Sequence, residues 1–399
     1  MARSRGNDRP TVDRVEKIAL SEDRVKLRLA AVILLVIVAA AAFAYGVNGL
    51  LGVEAGLQEI EAVTGEMNSA GDFTFYYDLG AGETSAADER RAVRALYTQA
   101  VTDAFQIFSA DLAFEDRRNL WYLNRHVNET VTVDPALYEA LALLEESGLR
   151  YHYLAPMYEL YFSLFQCGED REAAEFDPWR NEDLRQFYRE TAAFVNDPGA
   201  VKVELLGNNT VCLRVSREYL DFAEANRIGR FVDLFWMENA FIADYIADTL
   251  VENGFTRGAL FSDDGFARCL GGDAEYAVTF THREGNVVSN AGTLALSGAV
   301  SMVYLRDHPV DNGGGSNYYV YEDGTIRSPY VDTADGLDRP AAPGLAVRSD
   351  RLSCAEMVLL AAPLYIAEAL DTAALEALAG EGIVFYYCQG GAPRSAGGL

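Results

Sequence analysis

From Leu29 to Val53 the chain carries no charged residue, and its centre, Ala30 to Tyr45, reads AAVILLVIVAAAAFAY. No other segment narrows the possibilities as much. A hydrocarbon core about 30 Å thick is crossed by roughly 20 apolar residues, each rising about 1.5 Å. The run is apolar on every side, whereas a helix at the edge of a globular core keeps one polar face. Eight basic residues (Arg3, Arg5, Arg9, Arg14, Lys17, Arg24, Lys26 and Arg28) precede it, against five acidic ones. Basic flanks stay on the cytoplasmic side. The expectation is therefore a single-pass cell-membrane protein. It has a cytoplasmic basic segment 1–28, a transmembrane helix 29–50, and the remainder outside the cytoplasm. The alternative is a cleavable signal peptide with Ala42-Phe43-Ala44 as its small-x-small site, although the leader before the apolar run is long for one.

Roughly 345 residues follow the run, enough for one large domain or two intimate halves. The whole chain has a formal charge of −27, and the basic leader makes the rest more acidic still. Spread along the sequence, that charge repels phosphate backbones and excludes a nucleic-acid partner. The five cysteines (Cys167, Cys212, Cys269, Cys354, Cys388) form no C-x-x-C pair, and the four histidines are equally dispersed. Zinc and thioredoxin-like chemistry thus lack a pattern, and the cysteines read as small buried hydrophobes whose pairing spacing cannot decide.

Beyond a juxtamembrane segment 51–71, Asp72 to Leu79 alternates with Phe73, Phe75, Tyr77 and Leu79 on one face, which predicts a strand. Ser85, with Asp88 placed for a capping-box-like contact, opens a helix whose apolar stripe runs from Val93 to Phe108. Asp134-Pro135 starts a second helix that Gly148 closes. Val201–Leu206 and Thr210–Val215 flank Gly207-Asn208-Asn209 and read as a hairpin. A helix from about Leu234 to Asn253 ends at Gly254, and a strand follows at Ala259–Ser262. Further strands are expected at Tyr276–Thr281, Tyr318–Glu322 and Ile383–Cys388. A helical stretch over Ala355–Leu378 should be kinked or split by Pro363. Gly313-Gly314-Gly315 reads as a hairpin loop, and the tail 389–399 as flexible. The irregular mixture predicts an α+β class.

Five segments, in order, resemble the ApbE-type FAD:protein FMN transferases. Asn119–Leu144 resembles the early Asn and the Val-x-Pro-x-Leu-Tyr helix start. The stretch Thr210–Gly271, containing VDLFWMENAFIADYIADTLVENGF, is similar to the Asp-Leu-Gly-Gly-x-Ala-Lys-Gly-Tyr-x-x-Asp helix and the Gly-Gly-Asn strand end. Leu296-Ser297-Gly298 is similar to Thr-Ser-Gly. Tyr330 to Gly336 resembles Ile-Asp-Pro-x-Thr-Gly, and Cys354–Tyr365 the Asp-Ala-x-x-Thr-Ala helix start. The resemblance spans roughly 72–388 and implies a mixed α/β ApbE-like domain of two interleaved subdomains.

It also implies FAD and magnesium as cofactors, and an extracytoplasmic flavoprotein as target. The family cleaves the FAD pyrophosphate and moves FMN onto a protein hydroxyl. That chemistry needs a divalent cation against the developing phosphate charge, and glycines that let backbone amides approach. The positions implied for cofactor binding are Asp233, Asp264, Gly265, Ser297, Gly298, Asp332 and Gly336, with Glu356 at the metal. Asp233 and Glu356 also read as helix caps, and Ser297-Gly298 as a plain turn. The chain departs from the pattern at several points. Phe235-Trp236 stand for two glycines, Asn239-Ala240 for Lys-Gly, Thr333 for Pro, and Leu360 for the metal Thr. Three readings follow: a catalytically degenerate flavin- or partner-binding relative, an active transferase with an altered site, and a structural subunit without ligand. Phe235 and Trp236 separate them, since a plugged cleft favours the third and an open cleft near Glu356 the second.

Overall fold

Helices begin in this chain where a short polar side chain can accept from the first free amides. The Ser85 side chain accepts from Asp88 N, that of Asp134 from Ala136 N, and that of Asp371 from Ala373 N and Ala374 N. The structure, a computed structural model, describes residues 54–397 except 64, 66, 83, 310–316 and 381, together with Leu35. The expected transmembrane helix 29–50, Leu35 apart, and the Gly313–Gly315 loop lie outside the described residues. Among the described residues no helix is long and apolar enough to cross a membrane.

In chain order the strands are β1 (Gly56–Glu59), β2 (Phe73–Leu79), β3 (Thr130–Thr132), β4 (Val201–Gly207), β5 (Thr210–Val215), β6 (Gly258–Ser262) and β7 (Phe266–Glu284). They continue as β8 (Val287–Arg306), β9 (Tyr319–Val320), β10 (Ile326–Arg327), β11 (Gly344–Ser349), β12 (Ile383–Gln389) and β13 (Ala392–Ala396). The helices are α1 (Ala86–Phe108), α2 (Leu120–Arg125), α3 (Pro135–Ser147), α4 (Ala155–Gln166) and α5 (Asp170–Phe176). After them come α6 (Glu182–Val195), α7 (Arg217–Asn226), α8 (Glu238–Glu252), α9 (Cys354–Tyr365) and α10 (Thr372–Leu378).

The main sheet is antiparallel, in the order β1-β2-β6-β7-β8-β11-β12-β13, so it draws strands from both ends of the described chain. Residues from the middle build a smaller sheet, β3-β5-β4. Its hairpin turns at Asn208 and Asn209, both at positive φ (50° and 58°), as a right-twisted two-residue turn requires. The described residues from Glu54 onward pack as one compact unit. Helices α1, α8 and α9 cover one face of the main sheet, with the Phe75 and Tyr97 rings 4.8 Å apart across the layer.

The opposite face is covered by the sheet itself. Pairing between β7 and β8 breaks between Leu270 and Glu275, where Gly271 and Gly272 both take positive φ. An irregularity of this kind bends a hairpin. The distal half folds back, and Tyr276, Phe280, Leu294 and Leu296 bury against Ala267, Met302 and Tyr304. Thr281 N donates to the Tyr304 hydroxyl at 2.9 Å and holds the fold-over closed. The sequence reading saw only Tyr276–Thr281 of this hairpin, because its face pattern changes at the bend.

Two further expectations are corrected. The tail 389–399 is not frayed over its described part, since β13 pairs with β12 from Phe385↔Ala396 to Gln389↔Ala392. The stretch 51–71 is more than a juxtamembrane connector, because β1 pairs with β2. The helix read over Ala355–Leu378 is split, though beyond Pro363, which lies inside α9: α9 ends at Tyr365 and α10 begins at Thr372. All five cysteines are free thiols, with Cys212, Cys269 and Cys354 buried.

Candidate functional site

A cleft of about 450 Å³ opens where the turn leading into α8 meets the β6–β7 turn and α4. Asp233 builds one wall. Its N–H donates to His152 O at 2.9 Å, and its carboxylate accepts from Phe235 N at 2.9 Å and from Arg230 Nη1 at 3.1 Å. Phe235 is thereby held at φ +44°, a left-handed conformation that disfavours a side chain by roughly 1–2 kcal/mol. Glycine adopts such a conformation without this cost, and it is glycine that the sequence resemblance places here. The Phe235 ring stacks on Tyr158, centroids 4.6 Å apart, and meets the edge of Phe162. Trp236 is buried between Tyr151 and Tyr330.

Asp264 builds the facing wall. It accepts from Asn239 Nδ2 at 3.0 Å and from the Ser262 hydroxyl at 2.5 Å, and the same hydroxyl accepts from Phe266 N at 2.8 Å. Gly265 follows at φ +107°, and a Cβ there would lie 2.2 Å from the Tyr304 carbonyl oxygen, so only glycine fits the turn. Asn239, where the resemblance places a lysine, therefore serves to hold Asp264.

The electrostatics of the cleft are one-sided. Asp72, Asp111, Glu159, Asp233, Glu238 and Asp264 line it, with Arg230 as the cation among the described lining residues. Arg230 is already engaged, 2.7 Å from Asp111 and 3.1 Å from Asp233. Burial pushes Asp233 up to about 6 against the pull of Arg230, and Asp264 up to about 6 against its hydrogen bonds. Burial raises Asp72 too, with Asp263 adding to it. Glu238 is driven well above the usual carboxylate range, first by burial and then by Asp233, Asp72, Asp111 and Asp264. A carboxyl out of water among like charges holds its proton.

Of the seven residues expected at a cofactor, the structure brings together Asp233, Asp264 and Gly265. Ser297 and Gly298 lie elsewhere, exposed in β8, with Ser297 opposite Glu275 at the edge of the hairpin bend. Asp332 and Gly336 form a separate turn: Gly336 N donates to Asp332 O at 2.8 Å, and Arg339 Nη1 to the Asp332 carboxylate at 2.9 Å. Gly336 is needed there because a Cβ would strike Met157 and Tyr188. Glu356, expected at a metal, is exposed and forms a capping box, accepting from Ser353 N at 2.8 Å while its own N–H donates to the Ser353 hydroxyl.

Asp244 and Asp248, on α8, pair with Arg268. The buried Asp244 also accepts from Cys354 N (2.9 Å) and Ala355 N (2.8 Å) at the start of α9. The sequence reading missed Asp72, Asp111, Glu159, Arg230 and Glu238, which stand on separate elements with no motif linking them. The one signal available was the excess of acid itself.

Neither group that the fold implies fits these residues. Among the described residues, no three His, Cys, Asp or Glu side chains are placed to share a metal ion. Glu356 is committed to its cap, and Leu360 offers no oxygen. The pyrophosphate of a dinucleotide would face six acidic side chains and one arginine already paired.

The main sheet with its folded-over hairpin, the smaller sheet and the covering helices define an ApbE-like fold. No protein-family profile and no curated protein matches the sequence. Solved structures do match. The ApbE protein of Thermotoga maritima aligns with TM-score 0.56 at 13% identity, over 86% of this chain and 97% of its own. The flavin transferase ApbE of Vibrio cholerae aligns with TM-score 0.54 at 13% identity, over 86% and 97%. The flavinyl transferase ApbE of Pseudomonas stutzeri, in its apo form, aligns with TM-score 0.50 at 11% identity, over 86% and 94%.

Proposed function

We propose that this chain is a membrane-anchored, extracytoplasmic binding protein on an ApbE-like fold, which no longer transfers FMN. The observation that carries the reading is the acidity of the cleft: six carboxyl groups, Glu238 among them holding its proton, against one arginine that already bridges two of the others. Phosphoryl chemistry needs positive charge around the phosphates, from a metal or from basic side chains. This cleft offers the reverse. Asn239, in the place of the family's lysine, is bonded to Asp264.

The cleft is nonetheless open. Phe235 and Trp236 line it and do not fill it, which argues against a purely structural role. An altered transferase site built on Ser297, Asp332 and Glu356 has little support, because none of the three lines the cleft. Anchoring through 29–50, with the domain outside the cytoplasm, rests on the uninterrupted apolar run and its basic flank.

The test is FAD added to the purified full-length chain, with and without magnesium and with an acceptor flavoprotein present, following AMP release. No magnesium-dependent AMP is expected. Its appearance would restore the transferase and end this reading.

A further inference from the structure

The distal half of the β7–β8 hairpin has an edge with no strand beside it. From Gly285 to Leu305 the chain carries no charged residue, the longest such run from Glu54 onward. Beyond the bend, the ladder to β7 is regular from Phe280↔Gly292 to Glu275↔Ser297. On its other side β8 meets β11 only from Ser301 to Arg306, at the root of the hairpin. Among the described residues, Thr293–Ser297 make no backbone hydrogen bond to any strand but β7. In an antiparallel ladder alternate residues turn their amides and carbonyls away from the partner, so this edge presents a row of free donors and acceptors. Thr293, Ala295 and Ser297 are exposed beside it, while Leu294 and Leu296 are buried beneath.

Sheet edges are ordinarily blunted by charge, by proline or by shortness, because an unprotected edge templates another strand. The other edges of this molecule obey that rule. β13 carries Pro393 and Arg394, and β4 carries Lys202 and Glu204. β1, β3, β9 and β10 are at most four residues long. The outer edge of β7 in the same hairpin carries Glu275, Arg283 and Glu284. Among the described edges, that of distal β8 alone lacks all three defences.

We propose that this edge pairs with the same edge of a second copy of the chain, antiparallel about a two-fold axis at Ala295. A row of backbone donors and acceptors is matched by another strand, and two observations select a copy of this one. The pairing is self-complementary. With Ala295 facing Ala295, Thr293 of one copy faces Ser297 of the other, a hydroxyl pair suited to cross-strand hydrogen bonding, and Leu294 faces Leu296 on the inner side. Charge selects a copy as well. The chain carries −27, so two copies repel wherever carboxylates meet, and a neutral edge is where they can approach. A basic partner would favour the reverse, an edge with carboxylates to steer it. The product is a continuous layer in the order β7-β8-β8-β7. The inference goes beyond the function proposed above and does not depend on it.

Ala295→Cys is made in the full-length chain in detergent and oxidised with copper phenanthroline. Ala277→Cys is the control, since Ala277 lies directly opposite Ala295 on β7 and is exposed on the same face. Facing residues of an antiparallel pair lie about 4.5–5.5 Å apart at Cα, within disulfide reach, whereas two copies of Ala277 would stand three strand spacings apart, roughly 14 Å. Cys167 and Cys388 are partly exposed, so the wild type gives the background. Ala295→Cys is expected to form at least tenfold more covalent dimer than wild type or Ala277→Cys on a non-reducing gel. Adding Thr293→Lys and Ser297→Lys, which set like charges against each other across the axis, should return it to background. Each variant's melting curve shows that it is folded.

Equal crosslinking at Ala295→Cys and Ala277→Cys would overturn the proposal, because it marks face-to-face contact or random collision. So would a crosslink that the two lysines leave intact, or no dimer of Ala295→Cys above the wild-type background. The last result would leave the edge to a strand of another protein. None of these outcomes bears on AMP release from FAD.

Discussion

Removing one charge from the cleft should make the protein more stable at neutral pH and not at acid pH. Asp264 titrates at about 6 in the folded chain because it is buried beside other acids, against an ordinary value of 3.8. As pH rises from about 4 to about 6 the unfolded chain gives up this proton first, so it binds fewer protons than the folded one and stability falls. Above pH 6 the loss is complete. About 2 pKa units at 1.36 kcal/mol each set it near 3 kcal/mol. Asp264→Asn abolishes that loss but gives back part of the gain. The new amide has one acceptor oxygen for two donors, Asn239 Nδ2 and the Ser262 hydroxyl, so one bond of about 1–1.5 kcal/mol is lost.

The net expectation is a gain of ~1–2 kcal/mol at pH 8 and none, or a small loss, at pH 4. Urea unfolding of wild type and variant at the two pH values reads the difference directly. Equal destabilisation at both pH values would refute the reasoning. Asp264 would then be an ordinary structural carboxylate, and the crowding of acids around it would carry no cost.

Two further substitutions test the frame around the cleft. Gly265→Ala places a Cβ 2.2 Å from the Tyr304 carbonyl oxygen at φ +107°, and should lower unfolding free energy by more than about 2 kcal/mol in a denaturant titration. Asp244→Ala leaves Arg268 with Asp248 as its remaining carboxylate and takes the acceptor from two buried amides at the start of α9. It should cost about 2–4 kcal/mol in the same assay, with Asp244→Asn costing less because its one carbonyl oxygen still accepts from one of the two amides.

What the sequence determined by itself is whatever depends on neighbours three or four residues apart. Ser85, Asp134-Pro135 and Gly148, and the Asn208-Asn209 turn all act where they were read, because a cap or a tight turn is complete within one local segment. The five ordered motif resemblances also pointed to the fold that the structural comparisons bear out. The candidate site was legible only in part. Asp233 and Asp264 were singled out through the resemblance, yet the same motifs also nominated Ser297, Asp332 and Glu356. Each of those proved to have a local job, in a strand bend, a turn held by Arg339, or a cap.

Tertiary structure alone decided the rest. The bend at Gly271-Gly272 lays half a hairpin over its own sheet, and β13 finds β12 across a turn that composition read as a loose tail. The character of the cleft was decided the same way. Asp72, Asp111, Glu159 and Glu238 stand far apart in the chain and carry no periodicity. In an acidic protein each would pass for a solvated surface charge. Only the packing of α4, α8 and the β6–β7 turn brings them around one cavity, where carboxyl groups that are strangers in the sequence become one acidic site.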